Sequence, residues 1–265
     1  LTGMVDYHTH TARCGHAYGT VEEYIESALS RKIREIGFSD HAPMPEAERE
    51  GYTMSAAEVE PYIASLEKHR RRYKERISVR IGFEVDYPLL GSFADSYFTD
   101  PRIDYLIGSC HFIDGWAFDH PDFIDEYGKR DIDDIYGRYF SIMEAMAAAR
   151  LFDVIGHFEL VKKFGFRAVR DHRPAIEKIA RLLAAAGTAV EVNTAGMAHE
   201  AREMYPADGI LKILFDCNVP VTLGSDAHRP EQVGRFFPEA AEKLAGAGYR
   251  AISGFSKRKR YDITL

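Results

Sequence analysis

At 265 residues, with 46% apolar and 28% charged side chains, the chain has the composition of a folded globular protein, and one α/β barrel would use its whole length. No apolar run approaches the ~18 residues a membrane span needs, and the opening LTGMVDYHTH lacks the basic-then-apolar pattern of a secretory signal. With 34 basic against 41 acidic residues, the net charge of −7 disfavours a long nucleic-acid-binding surface and leaves any phosphate to be gripped locally.

In chain order, short β-branched or apolar runs predict strands near 4–7, 35–39, 78–85, 103–109, 152–156, 188–193, 219–224 and 249–254. Between them the apolar spacing turns helical. Capping boxes at Thr20/Glu23 and Ser55/Glu58 open the first two helices, and further helices are expected over 132–149, 173–186, 207–216 and 230–246. Strands that alternate with helices imply a parallel sheet covered by helices, and seven or eight of them favour a closed barrel in one domain spanning 1–265. Neither a GxGxxG after the first strand nor a GxxxxGK[ST] occurs, so nucleotide cradles lack support. The connections 87–101 and 111–130 are long, polar and aromatic, and are expected to form walls or lids over a site. Cys14, Cys110 and Cys217 are odd in number and have no CxxC spacing, which suits a reducing, cytoplasmic setting.

Of eleven histidines, seven fall where a predicted strand ends: His8, His10, His16, His41, His111, His157 and His228. In a barrel of parallel strands those ends converge on one mouth, so positions far apart in sequence become neighbours. His8 and His10, two apart in extended backbone, face one side and can share a metal ion. Glu84 lies inside a predicted strand, where a carboxylate must point at something polar or cationic, and Asp226 lies in the late SDAH run. Taken singly, a histidine after a strand is a capping or core residue, Glu84 is an ion-pair partner for Arg80, and Asp226 is a helix N-cap. The ordered series HxH, H, DH, E, H, H, DxH reverses that reading. Nine imidazole and carboxylate ligands exceed one tetrahedral ion, so two or three ions of zinc, manganese or iron are expected; three of them beside two ligating carboxylates would bring a local charge of about +4 that suits a phosphate dianion. Cys14 and Cys110 are read as packing residues beside the site.

The runs DYHTHTARCGHA, SDHAP, GFEVDY, GSCHFIDGWAFD, GHFELVKKFG, EVNTAG and GSDAHRPEQVG, across residues 6 to 234, resemble in order the blocks of the polymerase and histidinol phosphatase (PHP) superfamily, in its monofunctional histidinol-phosphatase type. The resemblance implies a distorted (β/α)7 barrel, TIM-like, with a trinuclear centre. It gives one ion to His8, His10, Glu84 and Asp226, a second to the bridging Glu84 with His111 and His157, and a third to His16, His41 and His228. It also implies a small-molecule reaction of histidine biosynthesis, L-histidinol phosphate plus water to L-histidinol and phosphate, by attack of a metal-activated hydroxide on phosphorus. Asp226, His228 and Glu84 are the catalytic candidates, with Asp226 or His228 relaying a proton. Lys162, Lys163 and Arg13 are candidates to grip phosphate, and Trp116 to flank the substrate ring or, equally, to anchor its own loop. Where relatives continue the NTxG block with an aromatic or basic residue, this chain has Met197 and Ala198, so His199 or Arg202 is the candidate substitute. Competing readings are a related phosphoesterase acting on nucleotides or DNA ends, an amidohydrolase-like C–N hydrolase, and a metal-binding module without catalysis.

Overall fold

A computed structural model describes residues 3–45, 51–92 and 95–265. Seven parallel strands form one sheet: β1 (Val5–Asp6), β2 (Glu35–Phe38), β3 (Ser78–Asp86), β4 (Tyr105–Ser109), β7 (Val154–Ile155), β8 (Ala189–Asn193) and β9 (Val221–Gly224), each paired with the next in that order. The sheet curls into a nearly closed barrel. Its seam is bridged where the Tyr7 N–H donates to the Leu223 carbonyl at 3.1 Å, the His10 N–H donates to Ala227 at 2.9 Å, and Thr9 pairs in parallel with Ala227.

Helices α1 (Val21–Ser30) and α2 (Val59–Tyr73) return the chain after β1 and β2. The first keeps its expected capping box: the Thr20 hydroxyl accepts from the Glu23 N–H, and the Glu23 carboxylate accepts from the Thr20 N–H at 2.7 Å. On α2, Val59, Tyr62, Ile63, Leu66 and Tyr73 are buried, the spacing that turns one face of a helix to a core. α3 (Ile132–Ala149), α4 (Arg173–Ala186), α5 (Asp208–Asp216) and α6 (Phe237–Ala247) follow later strands. Between β3 and β4 the described residues form only 3-10 turns, Tyr87–Ser92 and Asp95–Phe98, so the expected barrel is distorted where a helix is missing. Positions 93 and 94 of the expected wall 87–101 lie outside the described residues.

Two expectations are corrected. The run 249–254 does not extend the barrel: β10 (Ala251–Ser256) pairs antiparallel with β11 (Lys259–Thr264) in a separate hairpin. The charged KRKRYD stretch gave no alternating signal by which to find β11. The hairpin covers the N-terminal end of the barrel, where Phe255 packs edge-on to Tyr7 at 5.7 Å and the Lys257 N–H donates to Asp104 at 3.1 Å, just ahead of β4. The helix expected over 230–246 splits into a 3-10 turn at Pro230–Gln232 and α6.

Candidate metal centre

Every barrel strand but one delivers a ligand-type side chain at its C-terminal end, which is why residues two hundred positions apart meet. His8 and His10 follow β1, His41 follows β2, Glu84 lies on β3, His111 follows β4, His157 follows β7, and Asp226 and His228 follow β9. Glu84 is the hub and is 1% exposed. One of its oxygens lies 2.8 Å from His157 Nε2 and 3.5 Å from His111 Nε2, and the other lies 3.0 Å from His41 Nδ1, 3.3 Å from His8 Nε2 and 3.6 Å from His10 Nε2. Asp226 Oδ1 sits 3.4 Å from His10 Nε2, 3.5 Å from His228 Nδ1 and 3.8 Å from His8 Nε2. His16 Nε2 approaches His228 Nε2 at 3.0 Å.

Two of these residues sit on unusual backbone. His157 has φ 22° and Asp226 φ 51°, in the left-handed region that a side chain disfavours, at a cost of about 1–3 kcal/mol each. Surrounding contacts hold them there: the His157 N–H donates to Glu191 at 2.6 Å, and the Asp226 carbonyl accepts from Arg235 at 3.4 Å.

Whether these residues suit metal ions is tested by atoms that burial leaves without partners. His8 Nε2, both ring nitrogens of His10 and His41 Nδ1 are buried and make no hydrogen bond. Such atoms cost free energy unless something fills the space between them, and imidazole lone pairs beside two carboxylates fit a divalent cation. His8, Glu84 and His157 have ligand atoms within 4.8 Å of one another, as do His8, His10 and Asp226, and Cys14, His16 and His228. Outer contacts fix the rings: His8 Nδ1 pairs with Glu191 at 2.7 Å and His111 Nδ1 with Asp86 at 2.8 Å, the arrangement that orients metal-ligating imidazoles. Gly224 makes the first of these pairs fit, since a Cβ there would lie 1.8 Å from the Glu191 carboxylate and 2.6 Å from His8 Cβ.

The charges sort accordingly. Burial alone would raise Glu84 and Asp226, but His8, His41 and His111 around the first, and His8, His10 and His228 around the second, hold both well below the usual carboxylate range. Burial pulls His10 and His111 down, yet Asp226, Cys14 and Glu84 for the first, and Glu84 and Asp86 for the second, bring each up to about 10. His228 is pushed down to about 3, by burial and then by the charge on His10.

A cavity of about 680 Å³ opens on this cluster. Of the substrate-gripping candidates, Lys163 and His199 line it. The others are corrected. Lys162 is fully buried and donates to Glu159 at 2.7 Å and Glu203 at 3.0 Å, so it is a structural cation. Trp116 packs edge-on to Tyr127 at 4.8 Å with the Arg130 guanidinium 4.6 Å over its ring, which makes it the loop anchor and not a wall for substrate. Arg13 and Arg202 do not line the cavity. Residues the sequence reading passed over do: Asp119, Tyr52, Gln232 and Arg235. Asp119 and Gln232 lie within the GSCHFIDGWAFD and GSDAHRPEQVG runs but carry no strand-end histidine or strand-interior acid signal, and Tyr52 and Arg235 lie outside the quoted runs. Glu191 and Asp86, by contrast, carried the signal that singled out Glu84, an acid inside a buried strand.

Residues 6–195 match the family described as PHP domain. A Deinococcus radiodurans protein named "Probable histidinol-phosphatase" is 36% identical over 261 residues, covering 98% of this chain and 99% of its own. A Bacillus subtilis protein named "Histidinol-phosphatase" is 27% identical, covering 90% and 98%. The crystal structure of histidinol phosphate phosphatase from Lactococcus lactis, complexed with Zn, L-histidinol and phosphate, is similar in fold, with a TM-score of 0.79 at 19% identity over 98% of this chain and 99% of that one.

Proposed function

Since the chain belongs to the PHP domain family, we propose that it is a metal-dependent histidinol-phosphatase, hydrolysing L-histidinol phosphate to L-histidinol and phosphate. The observation that carries this reading is the set of unpartnered imidazole nitrogens converging on Glu84 and Asp226 at the floor of one cavity. The full-length relative in Deinococcus supports the choice of substrate.

Three divalent ions, of zinc, manganese or iron, fit the ligand set. His8, His10, Glu84 and Asp226 would hold one; Glu84, His111 and His157 a second; His16, His41 and His228 a third. When bound, such ions neutralise phosphate oxygens and lower the pKa of water. Glu84 would bridge two positions because its two oxygens face different imidazoles. Glu191 and Asp86 keep His8 and His111 turned inward. Lys163 brings a cation to the phosphate end of the cavity, and Arg235, braced by the carbonyls of Ser225 and Asp226, adds a second. His199, hydrogen-bonded to the Tyr205 hydroxyl at 3.0 Å, occupies the wall where Met197 and Ala198 offer no charge. Burial and then the Lys163 charge push it down to about 4, so it would meet the substrate as a neutral ring. We place the enzyme in the cytoplasm, in keeping with three unpaired cysteines; no helix among the described residues is long and apolar enough to cross a membrane.

Purified protein should release phosphate from L-histidinol phosphate with a higher kcat/KM than from nucleoside monophosphates or aryl phosphates. A higher value for nucleotides would move the assignment to a nucleotide phosphoesterase. Elemental analysis should find about three transition ions per chain, the number that these imidazole and carboxylate ligands can divide among themselves.

A further inference from the structure

One feature of the cavity is the wrong sign for a phosphatase. Asp119 lines it together with the metal-ligand cluster and is held ionised: burial would raise its carboxyl, but the charges of Lys163, His111 and His157 bring it below the ordinary range. A carboxylate beside a site for a phosphate dianion repels it unless a cation lies between the two anions, so an ester that brings its own cation is favoured there. In the free protein Lys163 fills that role, its ammonium 3.1 Å from Asp119 Oδ2.

The backbone beside Asp119 is held by packing and a hydrogen bond. The acid follows the short hairpin β5–β6 (Phe112–Ile113 and Trp116–Ala117), and its neighbour Phe118 is fully buried, edge-on to Tyr139 at 5.8 Å. The Phe118 N–H donates to the carbonyl of His111, a candidate ligand, at 3.2 Å, so the acid is tied to the edge of the centre through its immediate neighbour. A preorganised charge of this kind discriminates without needing to reorganise.

We propose that Asp119 determines substrate class by binding an ammonium group carried next to the phosphate ester, so that the site selects phosphomonoesters of 2-amino alcohols and rejects esters without the amine. The substrate ammonium takes the place of Lys163 at Asp119 Oδ2, and Lys163 is thereby released toward the phosphate. This rests on the phosphomonoesterase reading above but not on the imidazole ring of the substrate.

The test uses two matched pairs on the metal-loaded protein: L-histidinol phosphate with its deamino analogue, and L-phenylalaninol phosphate with its deamino analogue. The wild-type protein should favour the amine-bearing member of each pair in kcat/KM. Asp119→Asn should shrink that preference on the order of 100-fold, the loss expected when one partner of a buried charge pair is removed. Because the ratio is taken within each variant, loss of folded or metal-loaded protein cancels, and Asp119→Ser serves as a second variant. Two results overturn the proposal: a wild-type protein that does not prefer the amine, or Asp119 variants that lower both members of a pair equally, as a merely structural ion pair would. Turnover of the phenylalaninol ester above the histidinol ester would instead overturn the choice of histidinol while leaving the amine preference to be read from the same data. Turnover of none of the four would remove both.

Discussion

Two carboxylates on neighbouring strands are equally buried and have opposite surroundings. Glu35, at the start of β2, is 2% exposed, and Glu84, near the end of β3, is 1% exposed. Around Glu35 stand groups that only need to donate: Arg80 Nε at 2.8 Å, the Tyr7 hydroxyl at 2.9 Å and the Tyr261 hydroxyl at 2.6 Å. Around Glu84 stand the Ser109 hydroxyl at 2.6 Å and five imidazoles, several of whose nitrogens find nothing. The first is a completed network that ties the hairpin to the floor of the barrel. The second leaves a valence that cations would meet, because imidazoles crowded on one carboxylate must otherwise hold protons against each other's charge. Burial alone therefore does not mark a functional acid; the unmet valence of its neighbours does.

The widest separation should come from substituting each acid in turn. On the proposed ligand assignment Glu84→Gln removes a bridge between two ion positions, and several kcal/mol of charge stabilisation with it, so phosphatase kcat/KM should fall at least on the order of 10³-fold and the ion content per chain should drop. Glu35→Gln should leave ion content unchanged and lower unfolding free energy by about 2 to 3 kcal/mol, less than a fully buried pair would lose because Arg80 keeps some access to water. Denaturant titration and elemental analysis on both variants check the contrast. If Glu35→Gln lost metal as readily as Glu84→Gln, the division between the two ends of the barrel would fail.

The same division decides what could be read in the sequence. Barrel strands are legible because they are short, apolar and evenly interrupted, and the ligand candidates because strand ends share a fate in this fold. Arg80 was the natural partner for Glu84 by proximity in sequence, since the two lie four apart on one strand. In the structure Arg80 reaches back to Glu35 on the preceding strand, a choice set by register, with Arg80 opposite Gly37 and Glu35 opposite Ser78. Trp116 and Lys162 misled for a related reason: aromatic and basic residues near a site are often there to hold loops, and only burial and partners distinguish the roles. Asp119 stands at the end of the GSCHFIDGWAFD run, but its role was not legible there because it depends on what shares the cavity.

A smaller effect should appear one contact further out. Glu191→Gln keeps the shape of the side chain that meets His8 Nδ1 but withdraws its charge, and partners of this kind are worth about 10- to 100-fold in metal affinity. Competition against a chelator should show that loss. A change well below tenfold would mean that the strained backbone at His157, which Glu191 also holds, orients the site without help from the charge on His8.

The smallest effect for a single step, one pH unit, concerns protons. In metal-free protein His10 and His111 each titrate at about 10, while His41 is held well below its ordinary value and His228 at about 3. Near neutral pH, then, His10 and His111 carry protons that an ion must displace, whereas His41 and His228 are already neutral. The sign follows: raising pH toward 10 removes the competing protons, so apparent affinity at the positions built on His10 and His111 should rise by up to about tenfold per pH unit for each proton displaced. For the position proposed on His16, His41 and His228 the slope should be shallower, since only His16 is shifted upward there, by Cys14 against the pull of burial. Calorimetric titration with zinc in two buffers of different ionisation enthalpy counts those protons directly. Equal proton release at every position would show that the imidazoles are not divided by their surroundings, and with it the contrast between a satisfied floor and an unsatisfied mouth would lose its electrostatic basis.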